Sequence, residues 1–173
     1  MDQAMEEAVW EAAREQFRRR PEVDMEAHAR AVVEVVAELL AAGEPGDREI
    51  ALAAAILHDV GIPEAIARYG SGAPPGQEIE GARLARGMLA RLKWPTERAG
   101  EIAEIIGQHH RRLETASAEF RLLYDADLIV NAQEAGKSFG EIGGGLYAES
   151  AMAIARRRLG QTSSGKAIGE RSQ

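Results

Sequence analysis

The chain has 173 residues, 45% of them hydrophobic but only 5% aromatic, and no cysteine; this points to one domain with an Ala, Leu, Ile and Val core and excludes a disulfide framework or thiolate chemistry. A net charge of -7 makes a poor surface for a nucleic-acid backbone, so no nucleic-acid polymer is expected as a partner. The start, MDQAMEEAVW, is not a signal peptide, and the longest apolar run falls far short of the ~20 residues that span a bilayer, so a soluble, cytoplasmic protein with no membrane partner is expected.

Helical spacing recurs throughout and no alternating β-branched stretch competes with it, which predicts an all-α fold. Residues 3–19 form a first helix with Met5, Val9, Ala12, Ala13 and Phe17 on one side, three arginines at its end and Pro21 beyond it. Asp24 caps a second, about 25–42, whose stripe is Ala31, Val32, Val35, Val36 and Leu39. His28 lies on that inward face, where the ordinary role is a core histidine bonded to a backbone carbonyl. After the turn AGEPG, Asp47 caps a third helix that reads IALAAAIL and then His58, Asp59, Val60, Gly61. Two adjacent polar side chains at the end of a wholly apolar helix need a partner, and a divalent metal suits both imidazole and carboxylate.

A short helix follows over 63–69, then a Gly, Ser and Pro loop over 70–76 that could rim a site. The next helix, about 77–93, turns Leu84, Met88 and Leu92 inward, with Glu78 and Glu80 at an exposed start. Pro95 opens a helix to about 110, with Thr96 nearby as a cap; Ile102, Ile105 and Ile106 face the core together with His109, and His110 lies at the rim. On the helix 116–134, Phe120, Leu123, Tyr124, Asp127 and Asn131 share one face, and Asp125 touches a second strip; periodicity does not choose between the aspartates. Residues 136–145 read as a flexible loop whose glycines could cradle a phosphate, although no strand or P-loop pattern accompanies them. A last helix covers 146–159, and 160–173 read as a disordered tail. The expected organisation is one domain over 1–159 with roughly 6–8 helices.

His28, His58, Asp59 and Asp127 come from three helices and make a mixed nitrogen and oxygen set suited to Mn, Fe, Co, Ni or Mg. In HARAVV, AAILHDVG and LLYDADLIVN the chain resembles the HD-domain superfamily of metal-dependent phosphohydrolases, over a motif core of about 23–134. The resemblance implies these four residues as metal ligands and prefers Asp127, which follows an alanine, over Asp125. It implies that the double histidine of IIGQHHRR, His109 and His110, lines the site; in two-metal relatives one of the pair binds the second ion. Ile62 stands where relatives often carry a phosphate-binding Lys, and Gln77 where many two-metal relatives carry His.

Gln77 being a weak ligand, one cation per chain is expected, with Glu78 and Glu80 near enough in sequence to substitute. The function so implied is hydrolysis of a small phosphorylated substrate, a nucleotide among the candidates, through a metal-activated water. Asp59 would be both ligand and catalytic carboxylate, His109 and His110 hydrogen-bond donors or proton shuttles, and Arg111, Arg112, Lys137 and Gln77 substrate-binding groups. Two alternatives stand beside it: a di-iron oxygenase of the same fold, and a non-catalytic binding module that keeps its metal. A homodimer is permitted.

Overall fold

The computed structural model describes residues 1–160; the expected tail lies outside these except for Gly160. Among the described residues there are nine α-helices, one short 3-10 turn and no strand. The helices are α1 (Gln3–Phe17), α2 (Met25–Ala41), α3 (Arg48–Leu57), α4 (Ile62–Tyr69), α5 (Gly76–Arg91), α6 (Thr96–Ile106), α7 (Ala118–Glu134), α8 (Phe139–Ile142) and α9 (Glu149–Leu159).

The bundle is built around α3. Every residue from Ile50 to Leu57 is buried, and α3 packs against α1, α2, α6 and α7. A helix apolar on all sides has no solvent face to keep, so it becomes the centre and its neighbours supply the amphipathic wall. No single helix is long and apolar enough to cross a membrane among the described residues; the bent pair of α3 and α4 comes nearest by composition, and α3 is spent on the core. Local chemistry sets its ends. The Asp47 side chain accepts from the amides of Glu49 and Ile50 at the start, as Asp24 does from Ala27 at the start of α2.

At the other end α3 stops at His58, and residues 58–61 turn into α4, with Ile62 N–H bonded to the Asp59 carbonyl. Gly61 is what lets this turn lie on α5. A Cβ there would stand 2.1 Å from the Gln77 carbonyl oxygen and 2.4 Å from the Gly81 nitrogen. Gly81 in turn faces the His58 carbonyl and the Ile106 side chain. Two glycines thus bring the His58–Asp59 corner into backbone contact with α5.

Several expectations shift. The inner face of α5 is Gly81, Ala85, Met88 and Leu89, with Leu84 and Leu92 only half-buried. Glu78 and Glu80, expected at an exposed start, are 3% and 2% exposed, because the turn below α3 covers the first turn of α5. Helix α6 ends at Ile106, so His109 and His110 lie in a turn rather than on the helix, and Thr96 opens α6 without a side-chain cap. The stretch 136–145 is not simply loop: Ser138 and Glu141 form a capping box, Glu141 accepting from both the amide and the hydroxyl of Ser138, and α8 forms behind it. That extra helix takes the number beyond the expected 6–8.

Gly61→Ala is expected to cost at least ~3 kcal/mol, since backbone, not a yielding side chain, occupies the space. Chemical denaturation measures it; a loss below ~1 kcal/mol would show that the corner can move off α5.

Candidate metal centre

Three helices deliver the cluster. Helix α2 brings His28 in its first turns, the end of α3 brings His58 and Asp59, and the middle of α7 brings Asp127. His58 is 1% exposed, while His28 and Asp59 keep 12% and 13% side-chain exposure and mark the side open to solvent.

The distances draw one focus. His28 Nε2 lies 3.1 Å from Asp127 Oδ1 and 3.8 Å from Asp59 Oδ2. His58 Nε2 lies 3.3 Å from Asp59 Oδ2 and 3.6 Å from Asp127 Oδ1. Ligands at ~2.1 Å from a common ion stand roughly 3 to 3.5 Å from one another, so these separations suit atoms around a single cation. Donor atoms of His28, His58 and Asp59 fall within 4.8 Å of each other.

The outer contacts orient these atoms. His58 Nδ1 donates to the Ala55 carbonyl at 2.8 Å, which turns Nε2 toward the two carboxylates. That Nε2 is buried and has no hydrogen-bond partner, the nearby Asp59 oxygen being badly aligned. His28, whose ordinary role taken alone would be a bond to a backbone carbonyl, turns Nδ1 to the Glu134 carboxylate at 3.1 Å and Nε2 inward to Asp127. Asn131 donates to Asp127 Oδ1 at 2.7 Å. Glu134 was missed in the sequence, where it reads as the exposed last residue of α7; its seven-residue offset from Asp127 on the same helix was the available signal.

Charge in the cluster is mutually arranged. Burial works against a proton on His58, but Asp59 and Asp127 overcome it and hold the imidazole at about 9. Burial likewise opposes charge on His28, and its bond to Asp127 raises it nonetheless. Asp59 and Asp127 are held below the usual carboxylate range, against their burial, by the imidazoles. Protons thus occupy the place of positive charge that a cation takes over by displacing them.

Asp125 and Asp127 divide their work. Asp125 accepts from the amides of Tyr147 and Ala148 at 2.8 and 3.0 Å and anchors the entry to α9, and burial pushes its carboxyl up to about 6. Only Asp127 meets the histidines.

On the far side of Asp59 stands His109, buried, with Nδ1 bonded to the Ile106 carbonyl at 2.8 Å and an unpartnered Nε2 3.9 Å from Asp59 Oδ1. Burial, together with His58 and His110, pushes it down to about 4, so it is a neutral imidazole. His110 is exposed beside it, and the Gln77 amide nitrogen lies 3.0 Å from its Nε2. The other expected substrate groups are placed differently. Arg111 lines a groove with Arg86, Glu104 and Gly107. Arg112 bonds the Gly145 carbonyl and stacks on Tyr147. Lys137 is exposed, three residues beyond Glu134.

The domain is thus all-helical among the described residues and gathers two histidines and two aspartates from three helices into a candidate metal site. The family model described as "HD domain" matches residues 25–133, more than half of the chain, and the chain belongs to that family of metal-dependent hydrolases. A crystal structure of a predicted HD superfamily hydrolase from an uncultured Thermotogales bacterium shares the fold, with a TM-score of 0.66 and 23% identity over 87% of this chain and 82% of that one. No curated protein matches in sequence.

Asp127→Ala is expected to empty the centre of metal. Asp125→Ala should cost about 2 kcal/mol, by orphaning two amides, and leave metal content intact. Elemental analysis with thermal unfolding checks both; equal metal loss in the two variants would mean that the aspartates do not divide as their contacts indicate.

Proposed function

We propose that the protein hydrolyses a small phosphate ester, nucleotides included, with a divalent cation held by His28, His58, Asp59 and Asp127. The observation that carries this is His58 Nε2, buried 3.3 and 3.6 Å from two carboxylates with no hydrogen bond aligned on it, a place for positive charge that a cation fills by displacing a proton. A cation in that position supplies Lewis acidity, polarising a phosphoryl oxygen and making water a nucleophile at neutral pH.

The chain's own groups prepare the position. Ala55 and Glu134 fix the rings of His58 and His28, and Asn131 fixes Asp127, so little reorganisation is left for the reaction. Asp59 turns Oδ2 to His28 and His58 and Oδ1 toward His109, which links the metal position to the two histidines on the other side. His109 and His110 act on that side. The substrate enters where His28 and Asp59 are open to solvent. Its phosphate is held without help from position 62, which is Ile. Arg111, exposed one residue beyond His110, is the cation we assign to it, with Lys137 as a second. Arg112 would have to leave Gly145 and Tyr147 to take part.

Phosphomonoesters, nucleotides and cyclic nucleotides tested with Mn, Mg, Co and Ni should reveal turnover that EDTA abolishes. His58→Ala should lose activity and the metal of this centre together. His109→Ala should keep that metal and slow turnover by about 100-fold. Protein that stays metal-free after incubation with all four ions would remove the proposal.

A further inference from the structure

Helices α6 and α7 are joined by residues 107–117, an irregular stretch that carries His109, His110 and Arg111 near its start. We infer that Tyr147, which lies on neither helix nor on the stretch itself, is the positioning residue for its functional end: the Tyr147 hydroxyl grips Leu113 and so keeps His110 and Arg111 in register with the metal centre; this rests on the roles given to those two residues above and extends them to a residue outside the centre.

The hydroxyl is used on both sides. It accepts from the Leu113 N–H at 2.6 Å and donates to the Leu113 carbonyl at 2.7 Å. Among the described residues Leu113 has no backbone partner for either group. The Arg111 amide still bonds the Gln108 carbonyl, but residues 112–116 make no backbone–backbone bond among the described residues. One side chain thus does for Leu113 what a neighbouring strand does for a residue in a sheet, fixing a donor and an acceptor at once.

Tyr147 is itself a fixed post. Its N–H donates to Asp125 Oδ1 at 2.8 Å, and Asp125 is 1% exposed on α7, two residues before Asp127. Its ring meets Tyr124 edge-on with centroids 5.2 Å apart, and the Arg112 guanidinium lies 4.5 Å over it. Arg112 also donates to the Gly145 carbonyl at 3.0 Å. Both residues that follow Arg111 are therefore held by the segment 145–147.

The consequence is a set distance. The helix that supplies Asp127 also supports, through Asp125 and Tyr147, the base of the stretch on which His110 and Arg111 stand. The start of that stretch is fixed separately at the end of α6, where His109 bonds the Ile106 carbonyl. Releasing Leu113 therefore leaves His109 and the four ligands in place and loosens Arg111, the group assigned to substrate phosphate. A binding group displaced in this way weakens substrate capture and leaves the chemistry itself intact.

The test is Tyr147→Phe in the full chain, which keeps the ring, its contacts with Tyr124 and Arg112 and the backbone bond to Asp125, and removes only the hydroxyl. Leu113 is half-buried, so water can take over its two groups and the variant folds. Metal content should match wild type by elemental analysis. With Mn2+ and p-nitrophenyl phosphate, KM should rise about 10-fold while kcat stays within about 2-fold, and amide exchange should quicken at 111–116 but not in α7. A merely structural role lowers the amount of folded, metal-loaded protein, which lowers kcat and leaves KM alone; that outcome, or any other with the wild-type KM, would overturn the inference. If wild type turns over no ester, the hydrolase reading fails on its own, and inorganic phosphate titrated into both proteins decides the role of Tyr147: weaker binding in Tyr147→Phe supports it, and equal binding or none overturns it.

Discussion

The constraint behind the whole arrangement is the burial of His58, and the near-burial of Asp59, at the end of a helix that has no polar face. Helix α3 is enclosed on every side, so His58 at its C-terminal end lies inside the bundle and Asp59 keeps only a small solvent-facing edge. Isolated, a carboxylate there would cost several kcal/mol. The cluster resolves the cost by opposition: two carboxylates against imidazoles, each holding the other in its charged form. A cation fits because it does the same with one ion and frees the protons.

The glycine contact places the cluster. Had residue 61 carried a side chain, the corner after α3 would stand away from α5 and His58 would separate from the turn that carries His109. Gly81 completes the approach by letting the His58 carbonyl and Ile106 come close from two sides. Backbone contact of this kind is rigid, and it sets Asp59 between the His28–His58 pair and His109 with one oxygen for each.

Rigidity continues outward. Each histidine that points a free nitrogen inward has its other nitrogen held, His58 and His109 by carbonyls three residues earlier and His28 by Glu134. The carbonyls belong to the ends of α3 and α6, where the last turns of a helix leave acceptors unused. The ends of α3 and α6 therefore serve twice here, delivering His58 and the turn that carries His109 and fixing the orientation of both rings.

Much of this was legible in the sequence, and for a local reason. Caps at Asp24 and Asp47, the unbroken apolar run of α3 and the adjacent His and Asp after it depend on neighbours along the chain, so the all-α fold and the first candidate ligands could be named without coordinates. The small helix behind Ser138 could have been read from its capping box as well. What depends on one helix lying on another could not. Glu78 looks like a solvated helix start until the turn at Gly61 covers it. Glu134 looks like a free surface carboxylate until α7 lies along α2 and presents it to His28. Periodicity assigns Asp125 and Asp127 to different faces of α7 but says nothing of what each face meets. Only packing decided that one faces the amides before α9 and the other two imidazoles, because the partner of a buried charge is fixed by position in space and not by distance along the chain.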